Sequence, residues 1–366
     1  MENFKYFMPT KCYVGQNCIK NNGEEIKSIG KKALIVTGRR SSKENGSLDD
    51  IVDTLNTLEI DYVIFDEVEE NPSLETVDKA SNLGKEENVD FVIGVGGGSP
   101  IDASKAIAVL IKNKDYNAFN FIGVEPLEGV PVIAVATTAG TGTEVTQYAI
   151  VTDHKEKTKK NIGHSVFPKL AFLDSKYMDN MSYKNTVSTA LDAFSHLAEA
   201  YLNSNANILS DLYCEKGIEI FGECISNLLN KTLDNNLREK LMMVSTLGGM
   251  AIAQVGTSLP HGMGYALTYN KGLSHGIANT ILYKEYLKSF NNKERVEKII
   301  SLMNLKSLDE FGEALDKLID VEIKITEDEI KAYAKDMAKN AGKLKNHPEN
   351  IDEEGLFNIY KKSLIK

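Results

Sequence analysis

The chain has 366 residues, enough for two domains of ordinary size, and 42% of them are apolar, enough for a sizeable core. A formal net charge of -10 argues against nucleic acid or an anionic membrane as partner, because both demand a basic face. No apolar run approaches the ~20 residues that span a bilayer. The start, MENFKYFMPTKCYVG, lacks the apolar stretch and small-residue cleavage site of a signal peptide.

The expected location is therefore cytoplasmic. Cys12, Cys18, Cys214 and Cys224 show no CxxC pairing and are expected to be free thiols.

In chain order, Ala33 to Thr37 (ALIVT) reads as a buried strand, followed by helix-permissive sequence at Leu48 to Thr57. Asp61 to Phe65 reads as a second strand, after which Asn71-Pro72-Ser73 supplies a helix start. Phe91 to Val95 is a third strand, leading through a glycine loop into a helix from Ile101 to Lys112. Val130 to Ala136 is a fourth. Short β-branched runs alternating with helices are what a parallel sheet covered on both faces requires.

Beyond about residue 180 the pattern changes. Ser188 to Leu202, Leu241 to Val255 and Ile330 to Ala341 read as helices, and no alternating strand follows. The expected organisation is an α/β domain over residues 1–180 and an all-α domain over residues 181–366, with the boundary near Ser175 to Ser182. Glu349 to Glu354 reads as a solvated helix start.

The loop Gly94 to Ser99 (GVGGGS) lies between a strand and a helix. Glycines there let the backbone approach a ligand, and the following helix aims free N–H groups at the same place. Asp102, on the first turn, could accept a hydrogen bond from a ribose or amide, whereas Lys105 is expected to face solvent. A tight strand-to-helix turn is the plainer alternative. The loop follows the third strand, so the usual dinucleotide fingerprint after a first strand does not apply. A second loop, Ala136 to Glu144 (ATTAGTGTE), leaves the fourth strand with four threonines and two glycines. Two such loops on neighbouring strands look like a dinucleotide crevice.

Three of the six histidines fall in a suggestive pattern. Asp192 and His196, four apart, project from one helix face. His261 opens HGMGYAL and His275 sits in LSHGIAN. Three imidazoles and a carboxylate suit a borderline divalent ion such as Fe2+ or Zn2+, with a position left for a substrate oxygen. The alternative is a set of hydrogen-bonded core histidines, with Asp192 simply pairing to His196.

GGGSPIDASKA, TTAGTGTEVT, LDAFSHLAEAY and PHGMGYALTYNKGLSHGIAN, in that order, resemble the motifs of the iron-containing (group III) alcohol dehydrogenases. YFMPT and Asn71-Pro72-Ser73 agree, and the likeness runs essentially end to end. The resemblance implies a Rossmann-like N-terminal domain and a helical C-terminal domain in a dehydroquinate synthase-like architecture, with cofactor and metal in the cleft between them. It implies Asp192, His196, His261 and His275 as ligands of Fe2+, with Zn2+ or another divalent ion as alternatives. Gly97, Gly98 and Ser99 match a pyrophosphate loop, Thr137, Thr138 and Thr141 a second cofactor loop, and Asn71 and Asp102 further cofactor contacts. Lys160 matches a lysine near the cofactor, with Lys159 as the other choice. Small alcohols, diols or aldehydes are the implied substrates, and a homodimer or larger homo-oligomer the implied assembly.

Two departures matter. Many relatives carry a proton-relaying histidine four residues after position 261, where this chain has Tyr265. NAD-preferring relatives place an aspartate after the first strand, where this chain reads Gly38-Arg39-Arg40-Ser41-Ser42-Lys43. An aspartate would repel a 2′-phosphate, whereas Gly38 makes room and Arg39, Ser41 and Ser42 can donate to it, so NADP(H) is expected over NAD(H). The other readings are a glycerol dehydrogenase-like or dehydroquinate synthase-like enzyme, which would hold its metal with fewer histidines, and a catalytically silent nucleotide-binding protein.

Overall fold

The computed structural model describes residues 3–365. Six strands form one parallel sheet: β1 (Lys11–Val14), β2 (Lys32–Gly38), β3 (Asp61–Val68), β4 (Phe91–Gly96), β5 (Val132–Ala136) and β8 (Leu170–Leu173). A separate antiparallel hairpin pairs β6 (Ile150–Asp153) with β7 (Thr158–Asn161). The order across the sheet is β1-β8-β5-β4-β2-β3.

Strand order explains where a ligand site can form. Starting from β2, the chain first adds β3 on one side, then β4, β5 and β8 on the other. The direction of winding reverses between β2 and β4, and open α/β sheets bind ligands outside the carboxyl ends of strands at such a point. The glycine loop leaves β4 there, and Gly38-Arg39 leaves β2 beside it.

The sheet is covered on both faces because its strands are apolar on both. Leu34, Val36, Val92 and Val132 face one core with the helix Gly98–Lys112, while Ala33, Ile35, Ile93 and Ile133 face another with the helix Ser47–Thr57. Ser73 caps the helix Leu74–Glu86 by accepting from Thr76 N, so the expected start at Asn71-Pro72-Ser73 is where the helix begins.

The chain divides into two compact units, one from Met8 to Met181 and one from Ser182 onward. The N-terminal segment ending at Phe7 belongs to the second: the Tyr6 and Tyr213 hydroxyls meet at 2.7 Å, and Phe7 N donates to Gln254 at 3.1 Å. Among the described residues no strand occurs after Leu173, so this unit is helical as expected.

Its central helix, Tyr183–Tyr201, starts at the Ser182 cap and is buried throughout from Ala190 to Tyr201. Phe194 on that helix stacks against Phe221 at 4.8 Å and tilts against Tyr283 and Phe311, anchoring it in the core. Among the described residues no single helix is long and apolar enough to cross a membrane.

Two expectations change. Lys105 is fully buried on the helix Gly98–Lys112, which is apolar nearly all round and offers no solvated face at that position. Glu349 does not begin the last helix; it accepts three hydrogen bonds from Asn291 and one from Asn292, while Asp352 caps Glu353–Leu364.

Candidate functional site

In the α/β unit the two small-residue loops interlock. A Cβ on Gly97 would stand 2.9 Å from Thr138 Oγ1, and one on Gly98 2.7 Å from Thr141 Cγ2, so only glycine allows this approach. Gly97 caps the helix Gly98–Lys112, and Gly97, Gly98 and Ser99 remain partly open. Ser99 Oγ accepts from Asn71 N at 3.0 Å, with Asn71 in the left-handed region at φ 60. Thr137 is buried and continues the ladder by donating its N–H to Gly96 O at 2.9 Å. Asn71, Gly97, Gly98, Ser99, Thr137, Thr138 and Thr141 thus come together at the winding reversal.

A half-buried and a fully buried side chain hold the second loop from below. Asp102 accepts from the Thr143 hydroxyl at 2.5 Å and from Ile150 N at 3.0 Å. Lys105 Nζ donates to the carbonyls of Thr143, Thr146 and Tyr148 at 2.7 to 2.9 Å and to the Thr143 hydroxyl at 2.7 Å. Burial pushes the Lys105 ammonium down to about 8, against the pull of Asp102 and Glu144, and pushes the Asp102 carboxyl up against the pull of Lys105. Asp102 is therefore a support of the loop first.

The loop after β2 is sorted more sharply than the sequence allowed. Arg39 and Ser41 are exposed and Gly38 is partly open. Ser42 is fully buried, its hydroxyl 2.5 Å from that of Thr37, so it braces the loop from inside and does not present a donor outward. Lys43 is paired with Asp66 at 2.5 Å. On the hairpin, Lys160 is committed to Asp153 and Glu156 at 2.9 and 2.8 Å. Lys159, like Lys105, acts on Asp102 through its charge.

In the helical unit three of the four metal candidates, Asp192, His261 and His275, converge, and His196 meets them at His261. Asp192 and His196 sit one turn apart on the buried central helix, His261 on the helix Leu259–Lys271, and His275 at the start of His275–Thr280. One ligand atom from each of Asp192, His261 and His275 lies within 4.8 Å of the others. Asp192 Oδ1 is 3.7 Å from His261 Nε2 and 3.8 Å from His275 Nε2, and the His196 and His261 Nε2 atoms are 2.9 Å apart. Ligands about 2.1 Å from one tetrahedral ion stand roughly 3.4 Å from each other, so Asp192, His261 and His275 fit a divalent ion, with His196 adjoining them through His261.

Gly276 makes this convergence possible. A Cβ there would lie 1.8 Å from Ser188 O, so the segment carrying His275 reaches the central helix only because the residue after it has no side chain. Asn279, fully buried, directs Nδ2 to Asp192 Oδ1 at 3.3 Å and to His275 Nε2 at 3.2 Å. Tyr265 stacks on His275 with ring centres 5.7 Å apart.

Sequence reasoning missed Glu199. It is fully buried, accepts from Ser258 N at 2.6 Å and from Tyr283 Oη at 3.2 Å, and meets His261 Nδ1 at 2.6 Å. Burial pushes its carboxyl up to about 7, against the charge of Lys343 and the Ser258 N–H. A carboxylate behind a histidine holds the ring proton on Nδ1 and leaves the Nε2 lone pair for a metal. The signal was present: Asp192, His196 and Glu199 fall at i, i+4 and i+7 of one buried helix.

A glycine-looped parallel sheet and a helical unit with a buried carboxylate–histidine cluster are the parts a nucleotide- and metal-dependent enzyme requires. The family model described as iron-containing alcohol dehydrogenase matches residues 9–175, and that of the C-terminal part of the same family matches residues 186–364. The chain is 28% identical over 363 residues to the NADPH-dependent butanol dehydrogenase of Clostridium saccharobutylicum, covering 96% of this chain and 91% of that one. It is 30% identical to the NAD-dependent methanol dehydrogenase of Bacillus methanolicus, covering 83% and 80%. The crystal structure of an iron-containing alcohol dehydrogenase from Thermotoga maritima superimposes with a TM-score of 0.90 at 38% identity, covering 99% of each chain. The chain belongs to the iron-containing alcohol dehydrogenase family.

Proposed function

We propose that this chain interconverts small primary alcohols or diols with their aldehydes, using a divalent ion held by Asp192, His196, His261 and His275 and preferring NADP(H). The observation that carries this reading is the convergence of Asp192, His261 and His275, with His196 beside His261 and Glu199 orienting His261 from behind. The α/β unit takes the dinucleotide at Asn71, Gly97 to Ser99 and Thr137 to Thr141, and the helical unit takes the ion. When bound, the ion supplies Lewis acidity toward the substrate oxygen and the nicotinamide gives or takes the hydride. Asp192 contributes the one negative charge among the ligands. The phenol of Tyr265, stacked on His275, takes the proton-holding place that a histidine fills in many relatives.

The cofactor preference rests on Arg39 and Ser41, which are exposed beside Gly38 at the end of β2, with no acid in the Gly38 to Lys43 stretch. Lys160 or Lys159 lies near the dinucleotide in this reading; Lys160 is held in two ion pairs, and the charge of Lys159 acts on Asp102. A cytoplasmic location is supported by the four free cysteines.

The test is oxidation of NADPH with a panel of aldehydes before and after exhaustive chelation, with metal content measured in parallel. Loss of turnover with the metal, and recovery on adding Fe2+, is expected; full activity of metal-free protein would remove the ion from the reaction. Initial rates at low cofactor concentration should favour NADPH over NADH, and equal rates would overturn the preference.

A further inference from the structure

Lys343 stands on the short helix Ala341–Leu344, in a segment fastened to the chain just before His261. Asn346 Nδ2 donates to Thr257 O at 2.9 Å. The lysine stem runs beside Gly262, where an added Cβ would lie 3.1 Å from Lys343 Cγ. Its ammonium donates to the Thr257 hydroxyl and lies 6.0 Å from the centre of the Tyr265 ring. That same ring stacks on His275 at 5.7 Å. One aromatic side chain therefore touches both the lysine and a candidate metal ligand.

The charge of Lys343 is offset only at a distance, by the buried Glu199 carboxyl. Among the described residues no carboxylate makes an ion pair with it, and Glu199 acts on it only through space. The Glu199 oxygens are already taken by His261, Ser258 and Tyr283. The lysine is partly buried, and burial pushes its ammonium below the usual range. A cation drawn partly out of water with no carboxylate in contact is costly to keep, and such groups mark binding sites. A divalent ion with one carboxylate and three neutral imidazoles keeps a net positive charge, to which Lys343 adds a second positive point. Two positive points bridged by one ring suit a molecule with a reacting oxygen at one end and an anion at the other.

We propose that Lys343 is a specificity-determining residue whose ammonium receives the carboxylate of an ω-oxo or ω-hydroxy carboxylic acid. The inference rests on the dehydrogenase reading of the centre formed by Asp192, His196, His261 and His275. In reduction the aldehyde carbon gains a hydride from the reduced cofactor and its oxygen gains a proton, so C=O becomes CH–OH and the carboxylate is a spectator. An uncharged aldehyde of the same length lacks the grip on Lys343 and binds more weakly.

The experiment compares 4-oxobutanoate with butanal as substrates of the wild type, Lys343→Met and Lys343→Arg, with metal content checked in each. The wild type should favour 4-oxobutanoate in kcat/KM, and Lys343→Met should lower that preference at least tenfold, mainly through KM. Lys343→Arg should keep most of it. Calorimetric titration of the enzyme in its complex with reduced cofactor should show 4-hydroxybutanoate binding about tenfold more weakly to Lys343→Met. An unchanged preference, or equal losses on both aldehydes, overturns the role of Lys343 and leaves the dehydrogenase reading standing. A metal-loaded wild type inactive on both aldehydes, and on the wider panel, overturns the dehydrogenase reading itself and this inference with it.

Discussion

His261 Nδ1 and Glu199 Oε1 meet at 2.6 Å, with both side chains shut off from water. This pair sets which nitrogen of His261 faces the other histidines, and so it governs the candidate metal centre without being part of the ligand set.

Glu199→Gln keeps the volume but removes the charged acceptor. Loss of a carboxylate behind a ligating histidine costs about 10- to 100-fold in metal affinity. Chelator competition should show a drop of that size, with turnover recovering at high Fe2+. Unaltered affinity would reduce Glu199 to a packing residue.

Gly276→Ala tests the approach of His275 to the central helix. The new methyl meets Ser188 O, a backbone atom that cannot swing aside. Overpacking of this kind costs about 1–3 kcal/mol, so thermal unfolding should come at a lower temperature and metal content should fall. A variant as stable and as metal-rich as the wild type would mean that Gly276 does not limit the approach of the two helices.

Lys105→Met should loosen the loop that carries Thr137 to Thr143, raising KM for the cofactor more than it lowers kcat. The pH dependence has a definite sign. The buried ammonium titrates near 8 in the folded chain and near the ordinary lysine value when unfolded, so the unfolded state holds more protons between those limits. Stability from this group therefore rises as pH increases from about 8 to about 10.5, and is lost again as pH falls through 8. The wild type should gain stability relative to Lys105→Met across that window in chemical denaturation. A constant difference would show that Lys105 titrates normally.

Arg39→Ser removes the exposed guanidinium at the end of β2. A charge-assisted hydrogen bond is worth about 1.5–3 kcal/mol, so kcat/KM for NADPH should fall roughly 10- to 100-fold while that for NADH changes far less. Parallel losses with both cofactors would place Arg39 away from the 2′-phosphate.

Much of this architecture was legible before any coordinates. The strands at Ala33, Asp61, Phe91 and Val130 announce themselves as apolar β-branched runs, and the motif order around Asp192, His196, His261 and His275 singled those residues out. The strands β1, β6, β7 and β8 did not register, because each is four residues long and none alternates cleanly. Lys105 reads as solvent-facing because a lysine on a helix is normally a solvated one, and only three-dimensional packing reveals the carbonyls gathered around it. Ser42 looked like a ligand donor for a similar reason: its hydroxyl points back to Thr37, which no local pattern discloses. Glu199 passed unnoticed among alanines, although its spacing from Asp192 and His196 puts it on their face.

The interlocked glycine and threonine loops have a consequence for redesign. Gly97 with Thr138, and Gly98 with Thr141, leave no space for even one added methyl, so changes in one loop are tolerated only with compensating changes in the other. These positions should co-vary as a block among functional variants. The exposed Arg39 and Ser41 carry no such constraint, and attempts to retune the cofactor should begin there.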